Sequence, residues 1–254
     1  MAPVILLSGC MKPVPATRSK KESGRGDYSI HRHPHKQVRH WSPAGWVPSI
    51  YQLKPRFQTS LRPLVGIMEN LGVTANQMTL AACAISMGFG LLLASHPQSR
   101  TLSLLLPGLL FVRMALNAMD GMLAREYGQK SEIGAYLNEL GDVVSDAFLY
   151  LPFALLPEYT SRWMVAVIVL AVISEMAGTV AVMAGASRRY DGPMGKSDRA
   201  FVFGALAFWR GLGWRIAPWT AYLFPRLMAV LLVITVINRV RNGLLERNAG
   251  GMHG

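Results

Sequence analysis

Six stretches of this chain, residues 77–96, 101–125, 134–156, 162–186, 199–217 and 218–238, are each apolar over about the 20 residues that a membrane-spanning helix requires. A bilayer offers no partner to a free backbone N–H or C=O, so a single chain crossing it this way must be helical. The expected fold is therefore an all-α integral membrane protein with six transmembrane helices. A composition that is 51% hydrophobic agrees. Yet the second and third stretches carry Asp120, Asp142 and Asp146. Charge at membrane depth is expensive and marks function.

Formal net charge is +12, and its placement sets topology. The segment before residue 63 holds Lys12, Arg18, Lys20, Lys21, Arg25, Arg32, Lys36, Arg39, Lys54, Arg56 and Arg62 against Glu22 and Asp27. By the positive-inside rule it stays in the cytoplasm. Six spans return the other terminus, with Arg239, Arg241 and Arg247, to the same side, together with the basic loop "SRRYDGPMGKSDR". The expected location is the inner (cytoplasmic) membrane, multi-pass, with both termini cytoplasmic. Arg210 and Arg215, between the last two spans, run against the rule. Basic loops attract anionic membrane lipid. No aromatic-interleaved basic fold remains for nucleic acid once the spans are removed. Cys10 and Cys83 do not make a disulfide framework.

Residues 1–48, including "HRHPHKQVRH", lack periodicity and are expected to form a disordered basic tail, with the membrane domain over 49–254. At the start of that domain Leu61, Leu64, Ile67 and Leu71 recur at three- and four-residue steps. This pattern predicts an interfacial amphipathic helix that ends near Gly72, with Thr74 or Asn76 capping the first span.

Helical geometry organises the acidic stretch. Asn117, Asp120, Gly121 and Ala124 stand at i, i+3, i+4 and i+7 on one face of the second span. Gly134, Asn138, Asp142 and Asp146 repeat every four residues on the third, a stripe that drifts by about 40° per step. A short turn near Gly128 makes these helices neighbours, and their polar stripes are expected to face one another near the cytoplasmic end. Carboxylate and amide oxygens without Cys or His favour a hard cation, Mg²⁺, Mn²⁺ or Ca²⁺. The chemistry such a site favours is phosphoryl transfer. Arg113, one turn before Asn117, is expected to pair with Glu175 or another acidic group inside the bundle.

The run "DGMLAR", Gly134 after eight further residues, and polar residues at two four-residue steps resemble the signature of the CDP-alcohol phosphotransferases, membrane enzymes that build phospholipid head groups. The resemblance spans about residues 50–245. It implies a dimetal site between the second and third spans, with metal held by Asn117, Asp120, Asn138 and Asp142, and Asp142 also serving as general base. Gly121, Ala124, Arg125 and Gly134 would contact the nucleotide together with Asp120, and Asn76 and Thr79 at the mouth of the first span are further candidates, although capping explains them more simply. Lys196 and Arg199, then Arg188 and Arg189, are the candidates for the phosphate of the acceptor or the lipid. The partners implied are a CDP-linked lipid donor, a hydroxyl acceptor and a second copy in a homodimer.

The chain departs from the family pattern at Asn117 and Asn138, where acidic residues are the rule. Each amide removes one negative charge. Asp146 lies one turn beyond Asp142 and is a candidate to restore part of it, whereas Glu139 is rotated by about 100° from Asn138 and should face elsewhere. Three outcomes follow: two weakly held ions, one ion, or a site that binds nucleotide without turnover. The expected function is transfer of a phosphatidyl group from a CDP-linked lipid such as CDP-diacylglycerol to a hydroxyl acceptor, with release of CMP. The alternatives are a catalytically silent CDP-lipid-binding protein and a cation transporter.

Overall fold

The computed structural model describes residues 53–250. The tail of residues 1–48, with its His-rich cluster and Cys10, lies outside the described residues. Those that are described form seven α-helices and no strand: α1 (Leu53–Asn70), α2 (Ala75–Ser95), α3 (Arg100–Glu126), α4 (Glu132–Tyr150), α5 (Ser161–Met183), α6 (Lys196–Gly211) and α7 (Pro218–Gly250), with a 3-10 turn at Leu151–Leu155.

Local chemistry sets the boundaries that frame the site. Gly72, at φ +73°, turns the chain out of α1 in a conformation that favours glycine. Thr74 then caps α2: its hydroxyl accepts from the Gln77 N–H at 3.2 Å and the Gln77 side chain accepts from the Thr74 N–H at 2.9 Å. Ser131 caps α4 by accepting from the Gly134 N–H at 3.0 Å. Between these, Gln129 accepts from the Ala75 N–H at 2.7 Å, so the α3–α4 turn is fastened to the start of α2.

Helix α2 packs on both α3 and α4, α3 on α6, α5 on α7, and α1 on α3. Gly90 makes the α2–α4 contact possible, because a Cβ there would collide with the main-chain carbonyl of Phe148. Helices α3 and α4 meet through their polar side chains, as expected: Asn117 and Arg113 reach Asp142, and Arg113 reaches Asp146. Helix α2 is their shared packing partner, and side chains bridge the space between them.

The core lies among α3, α4, α5, α6 and α7, where Tyr150 stacks on Phe203 with ring centroids 4.2 Å apart, surrounded by Leu106, Leu149, Met164, Val167 and Leu232. A second cluster fastens α1 to α3 through Leu61 and Val65 against Met119, Met122 and Leu123. Of the four-residue stripe read on α1, only Leu61 is buried; Leu64, Ile67 and Leu71 remain exposed.

Four helices are long and apolar enough to cross a membrane: α2, α3, α5 and residues 218–248 of α7. Their outer surfaces expose large apolar residues such as Leu91, Leu105, Phe111, Val169 and Ile237, as a lipid-facing surface would. Helices α4 and α6 fall short of the spans expected at 134–156 and 199–217. Pro152 lies in the 3-10 turn, begun at Leu151, that ends α4, and α6 stops at Gly211, ahead of Gly213 at φ +80°. Arg210, which ran against the topology rule, is drawn inward: it donates to the Pro97 carbonyl at 2.8 Å and the Ser103 hydroxyl at 3.2 Å, with Glu158 3.6 Å away.

Candidate active site between the third and fourth helices

Asp142 is the point on which the site converges. The Asn117 side-chain amide donates to its Oδ1 at 2.8 Å across the cleft, and the Lys196 ammonium, at the start of α6, forms an ion pair with the same oxygen. Arg113 donates to the Asp142 main-chain carbonyl at 3.0 Å and reaches Oδ1 at 3.4 Å. The carboxylate keeps 22% of its side-chain surface exposed, and Lys196 keeps 31%. Asp120, one turn from Asn117, is buried and accepts from the Thr79 hydroxyl at 2.7 Å. The same hydroxyl lies 3.1 Å from the Ala75 carbonyl, so Thr79 joins the first turn of α2 to Asp120. Asn138 is half-buried, and among the described residues its amide has no hydrogen-bond partner.

The small residues of the motif are close against side chains. A Cβ on Gly134 would lie 2.6 Å from Asn76 Oδ1, and the Asn76 amide donates to Ser131 Oγ at 3.3 Å. A Cβ on Gly121 would lie 3.0 Å from the exposed Arg125 guanidinium, which folds over it. Ala124 packs against the α1–α3 cluster. The contacts thus join Asn117, Asp142 and Lys196 at one point and Thr79 with Asp120 one turn along α3, while Asn76 meets Gly134 at the start of α4.

Asp146 goes elsewhere. Its Oδ1 lies 2.6 Å from Arg113 Nη1, close but poorly aligned for a hydrogen bond, and its Oδ2 accepts from Arg199 Nη2 at 2.9 Å. Arg199 continues to Glu175 at 2.9 Å, and Glu175 also pairs with Arg239 at 3.4 Å and Arg188 at 3.5 Å. Arg188 closes on Glu139 at 2.5 Å. This chain of charges links α3, α4, α5, α6 and α7. Of the two partners expected for Arg113, the other acidic group is the one observed: Arg113 takes Asp142 and Asp146, and Glu175 takes three other arginines.

Of the four basic residues expected to meet phosphate, only Lys196 touches the cleft. Arg199 is 1% exposed and held by two carboxylates. Arg189 is held by Asp191 at 2.7 Å and Glu246 at 2.6 Å. Burial pushes the Asp191 carboxyl up, but hydrogen bonds from Arg189 and Asn242 outweigh it and leave the group below the usual carboxylate range. Arg239, expected among the C-terminal charges that fix topology, is instead buried and donates to the Ser174 carbonyl. The signal for it was an arginine interrupting the apolar run "VLLVITVINRV".

Residues 72–240 match the family model for CDP-alcohol phosphatidyltransferase. The chain belongs to that family. Its members transfer a phosphatidyl group from a CDP-linked lipid in phospholipid synthesis, which places the chain among membrane transferases rather than transporters. It is 47% identical over 201 residues to the inner membrane protein YnbA of Escherichia coli (strain K12), covering 78% of this chain and 97% of that protein. A shorter similarity, 32% over 104 residues, covers 41% of this chain and 53% of the archaetidylinositol phosphate synthase of Pyrococcus horikoshii. The fold is that of the Mycobacterium tuberculosis phosphatidylinositol phosphate synthase PgsA1. Its structure with CDP-DAG bound superposes with a TM-score of 0.61 at 19% identity, over 74% of this chain and 94% of that one. Its structure with manganese and citrate gives 0.60 at 18%, over 72% and 88%.

Metal dependence of the family makes the donor set a question of charge. Among the described residues no three His, Cys, Asp or Glu side chains are grouped so as to hold a metal. The contacts bring together two carboxylates, Asp120 and Asp142, and the Asn117 amide, with Asn138 one turn before Asp142 on α4, and one of those carboxylates already holds an ammonium. Asp120 with amide oxygens is a fit set for one hard cation. It is not a fit set for a pair.

Proposed function

We propose that this chain transfers the phosphatidyl group of a CDP-linked lipid such as CDP-diacylglycerol to a hydroxyl acceptor and releases CMP, with Asp142 as general base. The observation that carries this reading is the partly exposed Asp142 carboxylate, fixed by the Asn117 amide at 2.8 Å in a cleft that α3 and α4 leave open. Asp142 takes the acceptor's proton as the acceptor oxygen attacks the phosphorus that bears the lipid alcohol. The bond from that phosphorus to the bridging oxygen breaks, and CMP leaves with the electron pair. A divalent ion held by Asp120 with the oxygens of Asn117 and Asn138 supplies positive charge to the pyrophosphate when bound. Gly121, Ala124, Arg125 and Gly134 receive the nucleotide, with Asn76 and Thr79 at the mouth. The Arg125 guanidinium, exposed over Gly121, is free to exchange that position for a phosphate. Lys196 supplies positive charge on the acceptor side.

In this reading α4 and α6 complete a six-span bundle over residues 49–254 and α1 lies at the interface with Leu64, Ile67 and Leu71 toward lipid. The basic tail of residues 1–48 and the C-terminus are cytoplasmic, in the inner membrane, and the enzyme works as a homodimer. Trp209, Trp214 and Trp219 around the α6–α7 turn fit an aromatic belt at the opposite surface.

The test is CMP release by the purified protein with CDP-diacylglycerol, Mg²⁺ or Mn²⁺ and a pool of alcohols. Release is expected and should disappear in Asp142→Asn. A second reading, a silent CDP-lipid binder, is favoured by the two amides. It would be established by nucleotide binding without CMP release in the native protein and by turnover gained in Asn117→Asp with Asn138→Asp.

A further inference from the structure

We infer that the site operates with a single divalent ion per chain, and that the Lys196 ammonium supplies the positive charge at Asp142 that a second ion would otherwise provide. The inference rests on the phosphatidyl-transfer reading for what the cleft is, and it goes beyond that reading in fixing the number of ions and the role of Lys196.

Charge comes first. Four carboxylates with two divalent ions sum to zero. Asn117 and Asn138 remove two negative charges, the charge of one such ion. Two ions on the remaining Asp120 and Asp142 would leave a surplus of two positive charges before Lys196 and Arg113 are added, in a site largely removed from water. One ion on the Asp120 side and an ammonium on Asp142 leave far less unbalanced.

The hydrogen bond from Asn117 makes the same choice. Its NH₂ group faces Asp142 Oδ1 at 2.8 Å. An amide turned the other way would set oxygen against oxygen, so the chemistry fixes which end points across. A cation bridging residues 117 and 142 needs lone pairs from both, and here a donor hydrogen occupies that direction. An aspartate at 117 would present like charges to Asp142 and require a cation between them. Asn117 removes that requirement.

Lys196 is also placed by structure rather than carried on a free loop. It opens α6, where Gly195 donates its N–H to Asp198 Oδ2 at 2.9 Å, and Met194 just before it donates its N–H to the Thr235 hydroxyl at 3.1 Å. The neighbouring Arg199 is pinned by Asp146 and Glu175. The ammonium therefore has a fixed origin from which to meet Asp142. On the other side, Asp120 has a neutral donor in Thr79, and the Asn138 amide is unpartnered among the described residues, which leaves these oxygens for the one ion.

The experiment is a Mn²⁺ titration of the full-length protein in detergent, read by electron paramagnetic resonance of free and bound Mn²⁺, with CMP release measured on the same sample. The native chain should bind one Mn²⁺ with the spectrum of an isolated ion. Asn117→Asp with Asn138→Asp should bind two, with the line broadening of a coupled pair, and adding Lys196→Met should tighten the second. Two ions on the native chain, or none, would overturn the inference. If the double variant fails to fold, the native count alone still decides. Two ions with CMP release would sink the single-ion inference and leave phosphatidyl transfer standing; one ion without CMP release would do the reverse.

Discussion

Replacing Asp146 by Asn separates a charge that holds the bundle from one that holds a metal. The side chain is buried, and its two oxygens face Arg113 at 2.6 Å and Arg199 at 2.9 Å, both arginines being buried as well. Removing one partner from a buried ion pair costs about 3–5 kcal/mol, because the remaining charge is left uncompensated. Here neither arginine is left alone: Arg199 keeps Glu175 at 2.9 Å, and Arg113 keeps Asp142 at 3.4 Å and its carbonyl at 3.0 Å. The lower end, about 3 kcal/mol, is therefore expected, or roughly a hundredfold in the folded ratio. For a chain of this size that corresponds to a fall in Tm of about 6–12 °C. Tryptophan fluorescence during heating in detergent measures it. Adding Arg113→Gln should return part of the loss by removing the charge left with only the longer Asp142 contact, and the Mn²⁺ count should stay as in the native chain. An unchanged Tm with lost Mn²⁺ binding would refute the reasoning and make Asp146 a ligand.

Three further outcomes are expected. Thr79→Val keeps the shape but removes the donor to Asp120, and support of this kind is worth about 10–100-fold in metal affinity, so Mn²⁺ half-saturation should rise by at least tenfold. Gly90→Ala forces α2 away from Phe148; overpacking of this sort costs about 1–3 kcal/mol and should lower Tm without altering the Mn²⁺ count. Because the folded Asp191 carboxyl titrates below its ordinary range, its stabilisation is complete above that range and lost as pH falls through the folded value. Asp191→Asn should flatten that part of the Tm profile below about pH 5.

Period and motif made much of this molecule legible. Apolar length located the helices, and the spacing from Asn117 to Asp142 located the cleft, since residues three, four and seven apart share a helical face whatever the tertiary structure. The destination of Asp146 was not legible. Each four-residue step turns the stripe by about 40°, so Asp146 sits about 80° round from Asn138, and only the packed bundle shows that Arg199 waits there. Arg239 was hidden for the same reason, lying 64 residues from the Glu175 it meets. The ends of α4 and α6 were overrun because apolar composition continues through Pro152 and past Gly211, while backbone geometry does not.

The ion chain across five helices also bears on how the protein enters its membrane. Helix α4 carries Glu132, Glu139, Asp142 and Asp146, and α6 carries Lys196, Asp198, Arg199 and Arg210. At about 2.5–3.5 kcal/mol for a charge near the centre of an inserting segment, neither would partition into lipid on its own merit. Their acidic and basic groups answer one another, with α3, α5 and α7 supplying Arg113, Glu175 and Arg239. The two weak segments are thus passengers of the four strong ones. Their charges are met by partners in the assembled bundle, so α4 and α6 depend on the four apolar helices for their place in it.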